Sequence, residues 1–244
     1  MIKVLVNGAK GRMGQESIKA IKKDPELKLV GEADIGDDLT GLIAKTKAEV
    51  VVDFTQPGSR METIKKILAG GAHGVIGTTG FADKDLKEIE KLCGKAGKAI
   101  LIAPNFAIGA ILMMQFAARA AKHLPDVEII EYHHDNKKDA PSGTAIKTAQ
   151  LINETVGKTK APNIESEELL KERSQGAKVG NIRIHAVRLP GYVASQEVIF
   201  GGTGQSLKIR HDTINRECFM PGVILACKKI VKEKKLIYGL EKML

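Results

Sequence analysis

A fivefold recurrence in the first 107 residues limits the possible folds more than any other feature of the chain. Short apolar runs at 2–6, 27–33, 50–52, 75–76 and 99–103 each stop at a turn rich in glycine, threonine, proline or acid. Helical patterning fills gaps between them. Runs that are nearly all apolar, rather than alternating, belong in a sheet covered on both faces, and strand–helix repetition makes that sheet parallel. The expected class is therefore α/β, a Rossmann-type doubly wound parallel sheet. Ile18 and Ile21 mark a first amphipathic helix, ended by Asp24-Pro25. Thr55 or Ser59 is expected to cap a later one, with Pro57 near its first turn. Residues 83–95 form a charged amphipathic helix.

After Phe106 the pattern changes. Residues 108–123 read as a helix, 127–132 as a strand, and a helix runs from Ala145 to about residue 156. Residues 159–180 are polar and without period, a surface loop with one helical turn near 167–172. Strands follow at 182–188, 195–200 and 206–210, and Gly201-Gly202-Thr203-Gly204 suits a hairpin between the last two. With no helices between these strands, an antiparallel sheet is expected, hence a second, α+β domain. A last helix, 219–233, has an apolar face of Val223, Ile224, Ala226, Cys227, Ile230 and Val231. The expected division is 1–107 with 217–244 returning to it, and 108–216.

Ligands of open α/β sheets bind beyond the carboxyl ends of the strands. The turns there hold Gly8, Ala9, Lys10, Gly11, Arg12 and Met13, then Asp34, then Gly77, Thr78 and Thr79, then Ala103, Pro104, Asn105 and Phe106. Gly8, Gly11 and Gly14 follow a strand and open a helix, where glycine permits a tight turn and lets backbone N–H groups approach a pyrophosphate. The spacing is G-x-x-G-x-x-G rather than G-x-G-x-x-G, so its position and the acid ending the second strand carry the argument. Asp34 would accept hydrogen bonds from adenosine ribose hydroxyls. Ile35 follows it, so no guanidinium waits there for a 2′-phosphate, although Lys10 and Arg12 could supply cations. NADH preference with some use of NADPH is the expectation.

The densest chemistry lies in residues 131–145, Glu-Tyr-His-His-Asp-Asn-Lys-Lys-Asp-Ala-Pro-Ser-Gly-Thr-Ala. His133, His134 and Lys137 offer proton donors and cations. Gly143 and Thr144, beside Ser142 at a turn entering a helix, offer N–H groups to a carboxylate. Asp139 can orient a neighbour or cap the turn. Beside a nicotinamide fold, such a site suits hydride transfer to an electron-poor C=C or C=N bond of a small anionic substrate. Adjacent histidines on an extended segment point to opposite sides, and no third ligand is evident, so no metal is expected.

Composition removes other classes. The net charge is +9, but the lysines are spread along helix faces and aromatics are only 4% with no Trp, which leaves little for stacking on bases. Anion steering by a basic surface is the reading, not nucleic-acid binding. No apolar run approaches the roughly 20 residues of a membrane span, and the N-terminal segment reads as a strand rather than a signal peptide. A cytoplasmic location is expected. Cys93, Cys218 and Cys227 lack metal or disulfide spacing and read as small residues in or near cores.

The 131–145 stretch also resembles the signature of the 4-hydroxy-tetrahydrodipicolinate reductase (older name dihydrodipicolinate reductase) family of the diaminopimelate–lysine pathway. Gly8-Ala-Lys-Gly-Arg-Met-Gly14, Val52-Asp-Phe-Thr-x-Pro57, Gly77-Thr-Thr-Gly80, Ala103-Pro-Asn-Phe106 and Arg188-x-Pro-Gly-x-Val-Ala-Ser-Gln-Glu197 extend the resemblance over most of the chain. It implies a catalytic acid/base at His133, a second proton donor at Lys137, and substrate contacts at His134, Gly143 and Thr144. It implies cofactor contacts on the loops named above, a dinucleotide-binding domain, and a substrate domain whose sheet builds a homotetramer. Two rivals stay in view: another Rossmann oxidoreductase of amino-acid metabolism, and a non-catalytic NAD-binding regulator. The former would be expected to carry a catalytic cysteine or another lysine signature, and neither Cys93 nor Cys218 has that setting.

Overall fold

The computed structural model describes residues 1–156 and 175–244; the helical turn expected near 167–172 lies outside them. The chain divides into two compact units, Met1–Ile108 with Arg216–Leu244, and Gly109–Asn215. The first part alternates β1 (Ile2–Asn7), α1 (Arg12–Lys23), β2 (Leu27–Ala33), α2 (Leu39–Thr46), β3 (Val50–Asp53), α3 (Arg60–Ala69), β4 (His73–Ile76), α4 (Asp83–Ala96) and β5 (Ile100–Ile102). Then come α5 (Ile108–Ala121), β6 (Asp126–His133), α6 (Gly143–Val156), β7 (Ala177–Val179), β8 (Ile182–Arg188), β9 (Ala194–Gly202) and β10 (Gln205–Thr213). The chain closes with α7 (Met220–Ile230) and β11 (Leu236–Tyr238).

The first unit holds one six-stranded sheet in the order β2-β1-β3-β4-β5-β11. Every neighbouring pair is parallel, as the nearly all-apolar runs imply. Val4 to Val6 and Val50 to Val52 are completely buried. Strand order reverses between β1 and β3, which sets the end of β1 beside the end of β3: Asn7 pairs in register with Asp53. That is the switch point where such sheets take their ligands.

Two elements of this unit have no counterpart in the sequence reading. Helix α2 contains Gly41 and spans barely two turns, too short to be stable on its own; Asp38 caps it by accepting from the Gly41 N–H at 3.1 Å, and buried Leu39 and Ile43 pin it. β11 is three residues at the sheet edge, paired with β5. The expected cap of α3 is also corrected. Ser59 Oγ donates to the Gln56 carbonyl and Thr55 Oγ1 to Asp53, so neither accepts from the helix.

His73 opens β4 and is 5% exposed. Its Nδ1 accepts from the Ala99 N–H at 3.1 Å, and Lys98 Nζ lies 3.5 Å from Nε2. Burial, aided by the Lys98 charge and opposed by Glu49, pushes the imidazole down to about 4. The unfolded chain therefore takes a proton near pH 6.5 that the folded chain refuses until about pH 4. Stability is present above pH 6.5 and is lost as pH falls toward 4. Urea melts across this window are expected to lose on the order of 2 kcal/mol, and His73→Gln should flatten the slope. An unchanged slope in the variant would assign the acid sensitivity elsewhere.

The second unit corrects the expected antiparallel sheet. Its order is β10-β9-β6-β8-β7, and β6 runs parallel to β8 while pairing antiparallel with β9. The crossover from β6 to β8 permits this, because α6 lies between them in sequence, as in any parallel connection. β7 occupies the end of what read as a loop and pairs antiparallel with β8. The β9–β10 hairpin turns on Thr203-Gly204, with Gly204 in the left-handed region at φ 71°. Ile129, Ile182, Ile184, Val198 and Phe200 are buried, and α6 packs over β6, β7 and β8.

Candidate active site

In the first unit the glycine loop is built by close approach. Gly8 has φ 80°, and a Cβ there would stand 3.2 Å from the Phe54 backbone. A Cβ on Gly14 would fall 2.1 Å from the Gly8 carbonyl oxygen. Glycine at both places lets α1 start hard against the ends of β1 and β3. Gly11, at the N-cap of α1, supplies no side-chain acceptor, so the first-turn N–H groups face outward at the positive end of the helix dipole. Asp34 Oδ2 accepts from the Lys10 N–H and Oδ1 from the Ile35 N–H, both at 2.8 Å. The Lys10 backbone bond, then that from Ile35, holds its carboxyl below the ordinary carboxylate range despite some desolvation. An ionised acceptor is thus fixed at the rim of the glycine loop, with Lys10 and Arg12 exposed beside it and Ile35 88% exposed. Tight backbone, spare N–H donors and a fixed carboxylate fit a dinucleotide.

The remaining loops of this face are stitched together by Asp53, which the sequence reading left without a role. It is fully buried and accepts from Asn7 Nδ2 at 2.7 Å and Thr55 Oγ1 at 3.0 Å. Thr78 Oγ1 lies 3.3 Å from it and 3.1 Å from the Thr55 carbonyl oxygen. Burial pushes its carboxyl upward in spite of these bonds. Thr78 is thereby turned inward, whereas Thr79 and Pro104 are exposed. The Phe54 ring fills the space over Gly77, where a Cβ would lie 2.1 Å from it, and meets Phe106 edge-on at 5.6 Å. Ala103 and Phe106 are buried, and Asn105 Oδ1 accepts from the Ala107 N–H at 2.8 Å. A buried acid ending an otherwise apolar strand was the available signal for Asp53.

In the second unit β6 delivers Glu131 and His133, both on one face because they are two apart. Lys137 Nζ donates to both Asp139 oxygens at 2.7 Å, and this bond, first among the causes, holds the Asp139 carboxyl low. Ser142 Oγ accepts from the Ala145 N–H at 3.2 Å and caps α6. The capping bond goes to the third helical residue, leaving the N–H groups of Gly143 and Thr144 as donors at the helix start. Gly143 and His134 are exposed and Ser142 is buried. Sequence reasoning passed over Glu131 and Arg188. Glu131 is 0% exposed. Its Oε1 accepts from Arg188 Nη2 at 2.8 Å and the Ser142 N–H at 3.1 Å; its Oε2 accepts from Arg188 Nη1 at 2.8 Å and contacts His133 Nδ1. Burial pushes the Glu131 carboxyl up, but the bonds and charges of His133 and Arg188 together outweigh it and hold it below its ordinary value. Arg188 lies beside His133 in the parallel register and also donates to the Asp139 carbonyl at 2.7 Å. Two opposite charges on inward faces of neighbouring strands were legible only once the register was known.

Among the described residues no cluster of His, Cys, Asp or Glu could hold a metal ion, and no helix is long and apolar enough to cross a membrane. The family model described as dihydrodipicolinate reductase, N-terminus, matches residues 2–106, and the corresponding C-terminus model matches residues 109–244. The 4-hydroxy-tetrahydrodipicolinate reductase of Syntrophomonas wolfei is 46% identical over 262 aligned residues, covering 99% of this chain and 98% of its own. That of Streptococcus gordonii is 48% identical, covering 100% and 99%. A dipicolinate-bound dihydrodipicolinate reductase from Paenisporosarcina sp. TG-14 superposes with a TM-score of 0.91 at 40% identity over all of both chains. A probable dehydrogenase from Thermotoga maritima, 10% identical with a TM-score of 0.62, shares the fold alone.

Proposed function

We propose the following division of labour from the premise that the chain belongs to the dihydrodipicolinate reductase family and is a nicotinamide-dependent 4-hydroxy-tetrahydrodipicolinate reductase of lysine and diaminopimelate biosynthesis. The first unit is the dinucleotide-binding domain, with Gly8 to Met13 on the pyrophosphate, Asp34 on the ribose, and Gly77 to Thr79 and Ala103 to Phe106 around the nicotinamide. The second is the substrate and assembly domain. The observation that carries the reading is that one buried carboxylate, Glu131, holds both the His133 imidazole and the Ser142 N–H at the start of α6, while Arg188 on the same carboxylate also holds the Asp139 carbonyl beside the Lys137 amine. That set suits a small dicarboxylate.

When bound, the reduced nicotinamide supplies the hydride that reaches C4 of the ring imine left as the 4-hydroxyl departs as water. The chain's own residues do the rest. Gly143 and Thr144 N–H groups hold one carboxylate, and the exposed His134 neutralises the other. Hydride arrival at C4 leaves charge on the adjacent carbon, conjugated with the ring nitrogen. His133 and Lys137 supply the proton that quenches it, giving tetrahydrodipicolinate. Asp139 keeps the Lys137 ammonium extended toward the loop it shares.

Cofactor preference follows from Asp34. A ribose 2′-hydroxyl donates to that carboxylate, whereas a 2′-phosphate meets a second negative charge, relieved in part by the solvated Lys10 and Arg12. The face of the second sheet bearing Glu128, Ile130 and Tyr132, with His185, Val187, Glu197, Ile199 and Arg210 beside them, mixes half-buried apolar residues with paired charges. It is the face we assign to homotetramer formation. A cytoplasmic location accords with three cysteines, Cys93, Cys218 and Cys227, that form no disulfide.

One assay tests the activity and the preference together. Pyruvate and aspartate semialdehyde are fed through the upstream synthase, and loss of NADH or NADPH absorbance is followed. NADH consumption is expected, with a kcat/KM for NADH above that for NADPH. No consumption of either would sink the reductase reading; a strong NADPH preference would overturn only the reading of Asp34.

A further inference from the structure

We propose that Glu131 is the positioning residue of this enzyme, fixing in one piece the ring of His133 and the start of α6. The inference rests on the reading of His133 as proton donor and goes beyond it, because it names what makes that imidazole competent. Glu131 is fully buried, and an ionised carboxylate can only accept hydrogen bonds. Arg188 grips both its oxygens at 2.8 Å, so its plane is fixed. Contact between Oε2 and His133 Nδ1 then requires the proton to sit on Nδ1. Nε2 is left as the ring atom free to exchange a proton with a substrate.

The other half of the same carboxylate reaches the anion cradle. Oε1 accepts from the Ser142 N–H at 3.1 Å, and Ser142 caps α6 through its Oγ. Arg188 extends the brace by donating to the Asp139 carbonyl at 2.7 Å, beside the acid that holds Lys137. Proton donor, second amine and carboxylate cradle are therefore referred to one buried anion. Without it His133 could take the other tautomer or swing on its χ angles, and the turn at 139–142 would lose its common anchor. Glu131 touches no reacting atom. It acts through His133, as the buried acid of a serine-protease triad acts through its histidine, where replacing acid by amide gives the wrong tautomer.

The test begins on the unaltered protein. Two-bond ¹H–¹⁵N correlation spectra distinguish neutral imidazole tautomers, and the His133 signals are those missing from His133→Gln. The expected result is a ring that carries a proton on Nδ1 whether or not Nε2 is also protonated; a bare Nδ1 overturns the proposal. This readout does not depend on activity, so it stands even if His133→Ala leaves turnover intact and the proton-donor reading fails. Glu131→Gln, checked for folding by its thermal melt, is expected to lower kcat on the order of 10²-fold or more and to move the ring toward the Nε2–H tautomer. Introduced on top of His133→Ala, the same change should cost kcat much less than it does alone, what remains being the share that passes through the start of α6 and the 139–142 turn. An equal loss in both backgrounds would make Glu131 a structural residue that does not act through His133.

Discussion

His133→Ala and Lys137→Ala are each expected to lower turnover by about 10²–10⁴-fold, the usual contribution of a positioned general acid, while NADH affinity is unchanged. The separation follows from where the groups sit. Both side chains belong to the second unit, and every residue assigned to the cofactor belongs to the first. The two changes are also structurally mild. Removing His133 leaves Glu131 still held by both Arg188 nitrogens and the Ser142 N–H. Removing Lys137 releases an Asp139 side chain that is 65% exposed, and an exposed pair contributes at most about 1 kcal/mol. The measurement is kcat and KM for the dicarboxylate, alongside fluorescence titration of NADH. A loss confined to kcat marks a group used only in the transition state. A rise in KM with kcat retained would move Lys137 from proton donor to carboxylate contact. Damage to NADH affinity equal to the damage to kcat would remove either residue from the chemistry.

The legibility of this molecule divides along physical lines. Short, mostly apolar strands that each end at a glycine-, threonine- or acid-rich turn announce themselves, so β1 to β5 could be found from residues alone, and the glycine loop with them. α2 and β11 could not, since each depends on contacts that tertiary structure supplies: the Asp38 cap and buried Ile43 for one, the β5 edge for the other. The second sheet shows the same limit. Counting strands suggested an antiparallel arrangement, but whether β6 lies beside β8 or only beside β9 is a question of register, and no local pattern encodes it. Site chemistry follows that rule. His133, Lys137, Gly143 and Thr144, the residues proposed for the chemistry, sit within one short stretch and could be singled out together. Arg188 comes to Glu131 across 57 positions of sequence, and Asn7 to Asp53 across 46. These braces hold in place the loops and side chains proposed for the chemistry, and only pairing of the strands brings them into view.

Gly14→Ala is expected to weaken NADH binding at least tenfold, about 1.4 kcal/mol, through a change of one methyl group. An added Cβ would stand 2.1 Å from the Gly8 carbonyl oxygen and 2.9 Å from Ala9 Cα. These are backbone atoms, so no side chain can rotate away, and α1 must retreat or the loop must open. Such overpacking typically costs about 1–3 kcal/mol. Alanine's better helix propensity returns only about 1 kcal/mol, so the fold survives with a lower melting temperature. The loop does not keep its function, because its donors are backbone N–H groups whose value depends on sub-ångström placement against an anion. Gly94→Ala supplies the comparison. That glycine lies on the exposed side of α4 with nothing within 4 Å of an added Cβ, so the same chemical change should leave NADH affinity alone and raise stability slightly. Calorimetric titration of NADH into both variants, with melts of each, separates loop geometry from general stability. Unaltered affinity in Gly14→Ala would mean that the pyrophosphate does not rest on this loop.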